Sequence, residues 1–236
     1  NPVANPTRVN PQAIIDANGS AGLDDISFNI AGSPPFAIRP ATALNPISDP
    51  ATLDGSTQIG YSGAPLITLD GSALVGFEYG LTLNTSNSIV RALAVQRFYV
   101  GIGLNIAGEG GSNRVEACWV VTNRNDGIDG GGRYNRGGGP GPSFRNLVSG
   151  NYDGIVAWGP GSMIQGNYVG TDTNGASPWG NARHGIKLAG TDVLVGGTNA
   201  GEGNVISCNV EAGIDMEESW VASNRVQGNY IGTDAG

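Results

Sequence analysis

The nine-residue stretch Ile164-Gln165-Gly166-Asn167-Tyr168-Val169-Gly170-Thr171-Asp172 returns as Val226-Gln227-Gly228-Asn229-Tyr230-Ile231-Gly232-Thr233-Asp234. Internal repetition of this kind decides architecture before any local propensity does. Reduced to apolar, any, small, any, any, apolar, the pattern also fits Val90-Arg91-Ala92-Leu93-Ala94-Val95 and Val115-Glu116-Ala117-Cys118-Trp119-Val120. Degenerate copies lie near Phe144–Val148 and Val193–Ile206. A second ladder interleaves with the first. Gly followed by an apolar residue recurs at Gly80, Gly101, Gly127, Gly154, Gly185 and Gly213, at intervals of 21, 26, 27, 31 and 28 residues. A unit of this length holding two or three short strands is one coil of a parallel β-solenoid. The Leu-x-x-Leu-x-Leu signature of a leucine-rich repeat is absent, and a propeller blade needs roughly 40 residues or more.

The repeat predicts inward columns of branched residues: Val90, Val115, Ile164 and Val226 in one, Val95, Val120, Val169 and Ile231 in another. Asn167 and Asn229 fall at corners, where their amides are expected to bond along the stack. Forty of the 236 residues are glycine, against a usual share of roughly 7 %; tight corners require them. Charged residues make up 14 % against about 25 % in a typical domain. The net charge of −8 excludes the basic patches of a nucleic-acid binder. No apolar run approaches the ~20 residues of a membrane span.

The chain is expected to be all-β, with residues 1–31 forming an N-terminal arm, a capping helix and the first strand, and residues 32–236 forming the coils. Residues 1–9 suggest an extended arm. Asn10 and Pro11 open a short helix that stops at Gly19 and covers one end of the solenoid. The C-terminal sequence stops inside a repeat, which suggests either an open end suited to self-association or a fragment whose remaining coils have been removed. Gly130–Pro142 and Thr171–Arg183 are expected to bulge as loops. Cys118 and Cys208 lie about three coils, near 14 Å, apart at ~4.8 Å per coil, so both are expected to be free and mostly buried. Asn18-Gly19-Ser20 and Asn84-Thr85-Ser86 match glycosylation acceptors.

The Gln-Gly-Asn-Tyr-Ile-Gly-Thr-Asp repeat, Gly196-Gly197-Thr198-Asn199 through Ser207, and the recurring Asp-Gly-Ile resemble the right-handed parallel β-helix repeats of secreted bacterial surface proteins. Gln12–Asn18 with Asp24-Asp25-Ile26-Ser27-Phe28 is similar to that family's opening. The resemblance implies the pectin-lyase-like superfamily, a secreted or cell-surface location, and a single right-handed parallel β-helix. The superfamily holds pectate lyases, polygalacturonases, phage tailspikes, adhesins and passive surface proteins, so fold alone leaves activity open.

Asp126, Asp153 and His184 each precede a Gly-Ile pair and are the catalytic candidates, expected in one column at steps of ~4.8 Å. Close carboxylates split their pKa values and work as acid and base or nucleophile. Asn125-Asp126-Gly127-Ile128-Asp129 resembles the Asn-Thr-Asp-Gly element of polygalacturonases. That family's Asp-Asp, Gly-His-Gly and Arg-Ile-Lys elements are missing. The leading expectation for these aspartates is structural, a corner turn in which Asp before Gly bonds its own backbone, with catalysis and a calcium site as the alternatives; Asn at both positions would then preserve any glycan-cleaving activity. Arg133, Tyr134, Arg136 and Trp179 are candidates for glycan or partner binding, and Trp119, Trp158 and Trp220 offer further rings for stacking on sugars. No metal or cofactor is expected. The leading functional expectation is a secreted structural or interaction β-helix that assembles head-to-tail through its open ends. Polysaccharide hydrolase, lyase and non-catalytic glycan-binding module are the alternatives.

Overall fold

A computed structural model describes residues 11–105, 110–216 and 219–234. The chain winds as a parallel β-helix of about 7 turns, with three sheets in which strands stack in sequence order. The first sheet runs from Asp24–Ser27 to Arg225–Gln227, the second from Phe36–Ile38 to Tyr230–Ile231, and the third from Tyr79–Leu83 to Ile214–Asp215. Every strand pairing between coils is parallel. A helix, α1 (Pro11–Gly19), packs Ala13, Ile14 and Ala17 into the core over the first coils. Residues 1–9 and the helix cap expected at Asn10 lie outside the described residues.

The interior columns follow the repeat. Val90 pairs with Val115, then Gly137, Ile164, Val195 and Val226. Val95 is followed by Val120, Val148, Val169, Ile206 and Ile231. The degenerate copies thus fill the coils the clean repeat skips. Burial of each branched side chain contributes roughly 1.5–3 kcal/mol, and β-branched residues suit the pleated wall.

The corners carry the inter-coil bonds that strands cannot make. Between the first and second sheets, Asn146, Asn167, Asn204 and Asn229 form a ladder. The Asn167 amide nitrogen donates to Asn204 Oδ1 at 2.9 Å, and its Oδ1 accepts from the Asn146 amide at 3.0 Å. Cys118 starts this ladder, its backbone N–H donating to Asn146 Oδ1 at 2.9 Å. Asn123, Asn151, Asn181 and Asn209 build a second ladder between the second and third sheets. Ser88, Asn113, Asn135 and Ser162 form a shorter one at the remaining corner.

Glycine is required at the entry to the third sheet by close approach. A Cβ on Gly101 would sit 2.6 Å from the Gly127 carbonyl oxygen, and one on Gly127 would sit 2.6 Å from that of Gly154. The Gly-Ile ladder of the sequence is therefore a column in which each coil rests on the next.

Two expectations are corrected. Gly130–Pro142 is not one bulge: Gly130 ends a third-sheet strand and Arg136–Gly138 is a first-sheet strand. Glycines pair in a ladder as any residue does, and Gly137 occupies an inward slot without a side chain. Cys208 is free, as expected, but exposed rather than buried. It is a corner residue at φ 61°, outside the inward columns. Cys118 is free and buried, and burial pushes its thiol up to about 12. Thr171–Arg183 is a loop, organised by Asp172, whose Oδ1 accepts from the backbone N–H of Asn174, Ala176 and Ser177. Of the two glycosylation matches, Asn84 is exposed, whereas the Asn18 amide ties α1 to the Pro46 carbonyl and the Ser48 N–H.

Two glycine substitutions should move stability in opposite directions. Gly127→Ala should cost about 1–3 kcal/mol by overpacking, since Val148 Cγ1 and the Gly154 oxygen leave no room. Gly137 has nothing within 4 Å of an added Cβ and borders a void of about 20 Å³. Gly137→Ala should therefore gain about 0.4–1 kcal/mol. Asn167→Ala strips the acceptor from both Asn146 donors and should cost about 1–3 kcal/mol for each buried group left unpaired. Urea unfolding midpoints measure all three.

Candidate functional site

Asp126, Asp153 and His184 do form one column. Gly101 N–H donates to the Asp126 carbonyl at 3.0 Å, Gly127 N–H to that of Asp153 at 2.9 Å, and Gly154 N–H to that of His184 at 2.9 Å. The position two residues after each glycine makes a second row, in which Asp129 pairs with Val156, Val156 with Lys187 and Lys187 with Asp215. Arg183, Tyr79 and Trp158 join the same face through the contacts below. Tyr79, Arg183 and Asp215 were not singled out by the sequence. The signal that finds Asp215 is this second register row; Tyr79 carries none beyond adjacency to Gly80-Leu81, and Arg183 carries none.

The carboxylates have different surroundings. Asp153 is buried. Its Oδ1 accepts from the His184 backbone N–H at 3.0 Å, and its Oδ2 lies 3.5 Å from Arg183 Nη1. It therefore ties one coil to the next rather than closing its own corner. Asp126 is half-buried, and no donor among the described residues hydrogen-bonds its carboxylate. The corner turn expected for it is not made. Burial, then Asp129, then Asp153 push its pKa up to about 7, against the opposing pull of Lys187 and Arg183. Burial also raises Asp129, partly offset by hydrogen bonds from Trp158 and Tyr79. Tyr79 Oη lies 3.4 Å from Asp129 Oδ2, and burial together with that carboxylate pushes its hydroxyl up to about 12.

His184 is enclosed, with both ring nitrogens lacking a hydrogen bond among the described residues. Its Nε2 stands 3.6 Å from Glu211 Oε2 and 3.7 Å from Asp215 Oδ2. Among the described residues no group of three or more His, Cys, Asp or Glu side chains is set to hold a metal ion.

Beside Asp129 an open cleft of about 570 Å³ is lined by Arg133, Trp158, Asn105 and Pro160. Of the four binding candidates, Arg133 thus reaches the acidic face. Tyr134 is exposed and lies against Gly161. Arg136 sits in the first sheet, in register with Arg114 and Met163. The Trp179 indole lies against Gly150. These residues do not converge on one surface, because the strand at Arg136–Gly138 carries Arg136 onto another sheet. Trp220 donates its indole N–H to the Ala189 carbonyl at 3.0 Å, a packing contact.

No protein-family model matches this chain, and no curated protein matches it.

The Asp126 environment has a thermodynamic signature. Its folded pKa of about 7 lies above the unfolded value of 3.8, so the folded state binds the proton more tightly. Its stabilising contribution is complete below pH 3.8 and is lost as pH rises through about 7. Asp126→Asn should therefore match the parent in melting temperature at pH 4 and exceed it by several degrees at pH 8. Calorimetry at the two pH values measures this.

Proposed function

We propose that the outer face of the third sheet is an acid–base surface that cleaves an extended extracellular polysaccharide. The observation that carries this reading is Asp126, a carboxyl with no hydrogen-bond partner among the described residues, set one coil from Asp153 and three residues from Asp129. Two carboxyl groups in unlike environments are what glycosidic hydrolysis requires. Asp126, protonated near neutral pH, donates its proton to the glycosidic oxygen as the bond to the anomeric carbon breaks. Asp153, oriented by the His184 N–H and Arg183, is the partner carboxylate, serving as base toward water or as nucleophile. Trp158 and Arg133, which line the cleft beside Asp129, supply a ring and a planar donor for a neighbouring sugar. A β-helix offers a long face crossed by successive coils, which suits a polymer better than a small molecule.

The test is reducing-end release from a panel of acidic and neutral polysaccharides. Asp126→Asn should lower kcat by about 10²–10⁴-fold, the usual contribution of a general acid. The parent's kcat/KM should fall as pH rises through about 7. Activity unchanged in both Asp126→Asn and Asp153→Asn would sink the assignment.

A further inference from the structure

The outside of the second sheet breaks the rule that a solenoid is apolar within and polar without. One outward register row reads Ala94, Trp119, Leu147, Tyr168, Val205 and Tyr230. Leu147, Tyr168 and Val205 cluster with Val121, and Trp119 packs against them half-buried. This row belongs to none of the residues of the acidic face.

Two clefts open along it. One, of about 260 Å³, is lined by Trp119, Arg145, Leu147 and Tyr168; the other, of about 600 Å³, by Tyr61, Arg91 and Phe144. They share Gly63 and Pro142, so they meet as one groove. The groove brings together four aromatic rings and two guanidinium groups. Arg145 is held in place: its guanidinium carbon sits 4.0 Å from the Tyr168 ring centre, and Nε donates to the Gly166 carbonyl at 3.1 Å. Arg91 is neutralised by Glu116 and Asp54.

We propose that this groove is a binding site for a neutral oligosaccharide, separate from the acidic face. A pyranose ring has an apolar C–H face and a hydroxyl edge. An indole matches the face, and a fixed planar guanidinium matches the edge. The alternatives fit less well. A wholly apolar ligand needs an enclosed pocket, and this groove is open. A peptide added as a strand needs a free sheet edge, and the strands here are paired on both sides.

The experiment is retention on immobilised cellohexaose, xylohexaose, mannohexaose and chitohexaose, followed by titration with whichever is retained. Trp119→Ala and Arg145→Ala should each weaken binding at least tenfold, while Trp119→Phe, which keeps a ring, should bind. Asp126→Asn and Trp179→Ala should bind as the parent does, which separates this site from the proposed catalytic face. Retention of none of the four sugars overturns the proposal. So does binding that survives Trp119→Ala and Arg145→Ala, or that is lost in Asp126→Asn.

Discussion

A solenoid is held at its corners. Along the strands, backbone groups find partners in the coils on either side without help. At each corner the chain turns away from the ladder, and a buried N–H without an acceptor costs free energy comparable to a lost hydrogen bond. The side-chain amides of Asn146, Asn167, Asn204 and Asn229, and of Asn123, Asn151, Asn181 and Asn209, meet that need coil after coil. Asparagine suits the task because it accepts and donates at once. Aspartate could accept but not donate onward, and leucine could do neither. The registry of everything else, including the inward columns, follows from these fixed corners.

The acidic face depends on that registry. Asp126, Asp153 and His184 stand in a column only because the glycine after each one lets its coil settle onto the next carbonyl. The same settling places Asp129 and Lys187 in one row. A framework this regular repeats backbone positions faithfully while leaving the outward side chains free to differ. Chemically unlike groups therefore collect on one surface without any loop being required to hold them.

Much of the fold was legible because one repeat is nearly perfect. Ile164–Asp172 and Val226–Asp234 announce the strand, the corner amide and the next strand together. The skipped coils were harder: Gly137 fills a wall position with no side chain, and Val195 is separated from Val205 by an insertion. The site was legible in part. Asp126 and Asp153 look alike in sequence, each preceding Gly-Ile. What separates them is the N–H of His184 and the guanidinium of Arg183, which belong to the following coil. The outward Trp119–Tyr168 row was hidden for a related reason. Alternation along one short strand shows which residues point inward, but adjacency across strands appears only once the register is known.

The corner amides also give the molecule a direction. In both long ladders each backbone N–H donates forward, to the Oδ1 of the coil that follows it in the chain: Cys118 to Asn146, Asn146 to Asn167, Asn123 to Asn151. The N–H of each of these corner residues is thus satisfied by the following coil, while the side-chain amides of Asn146 and Asn123 also reach back to carbonyls of the preceding one. A ribosome delivers coils in that order, so each arrival closes the one before it, and during synthesis the unfinished corner stays at the growing tip.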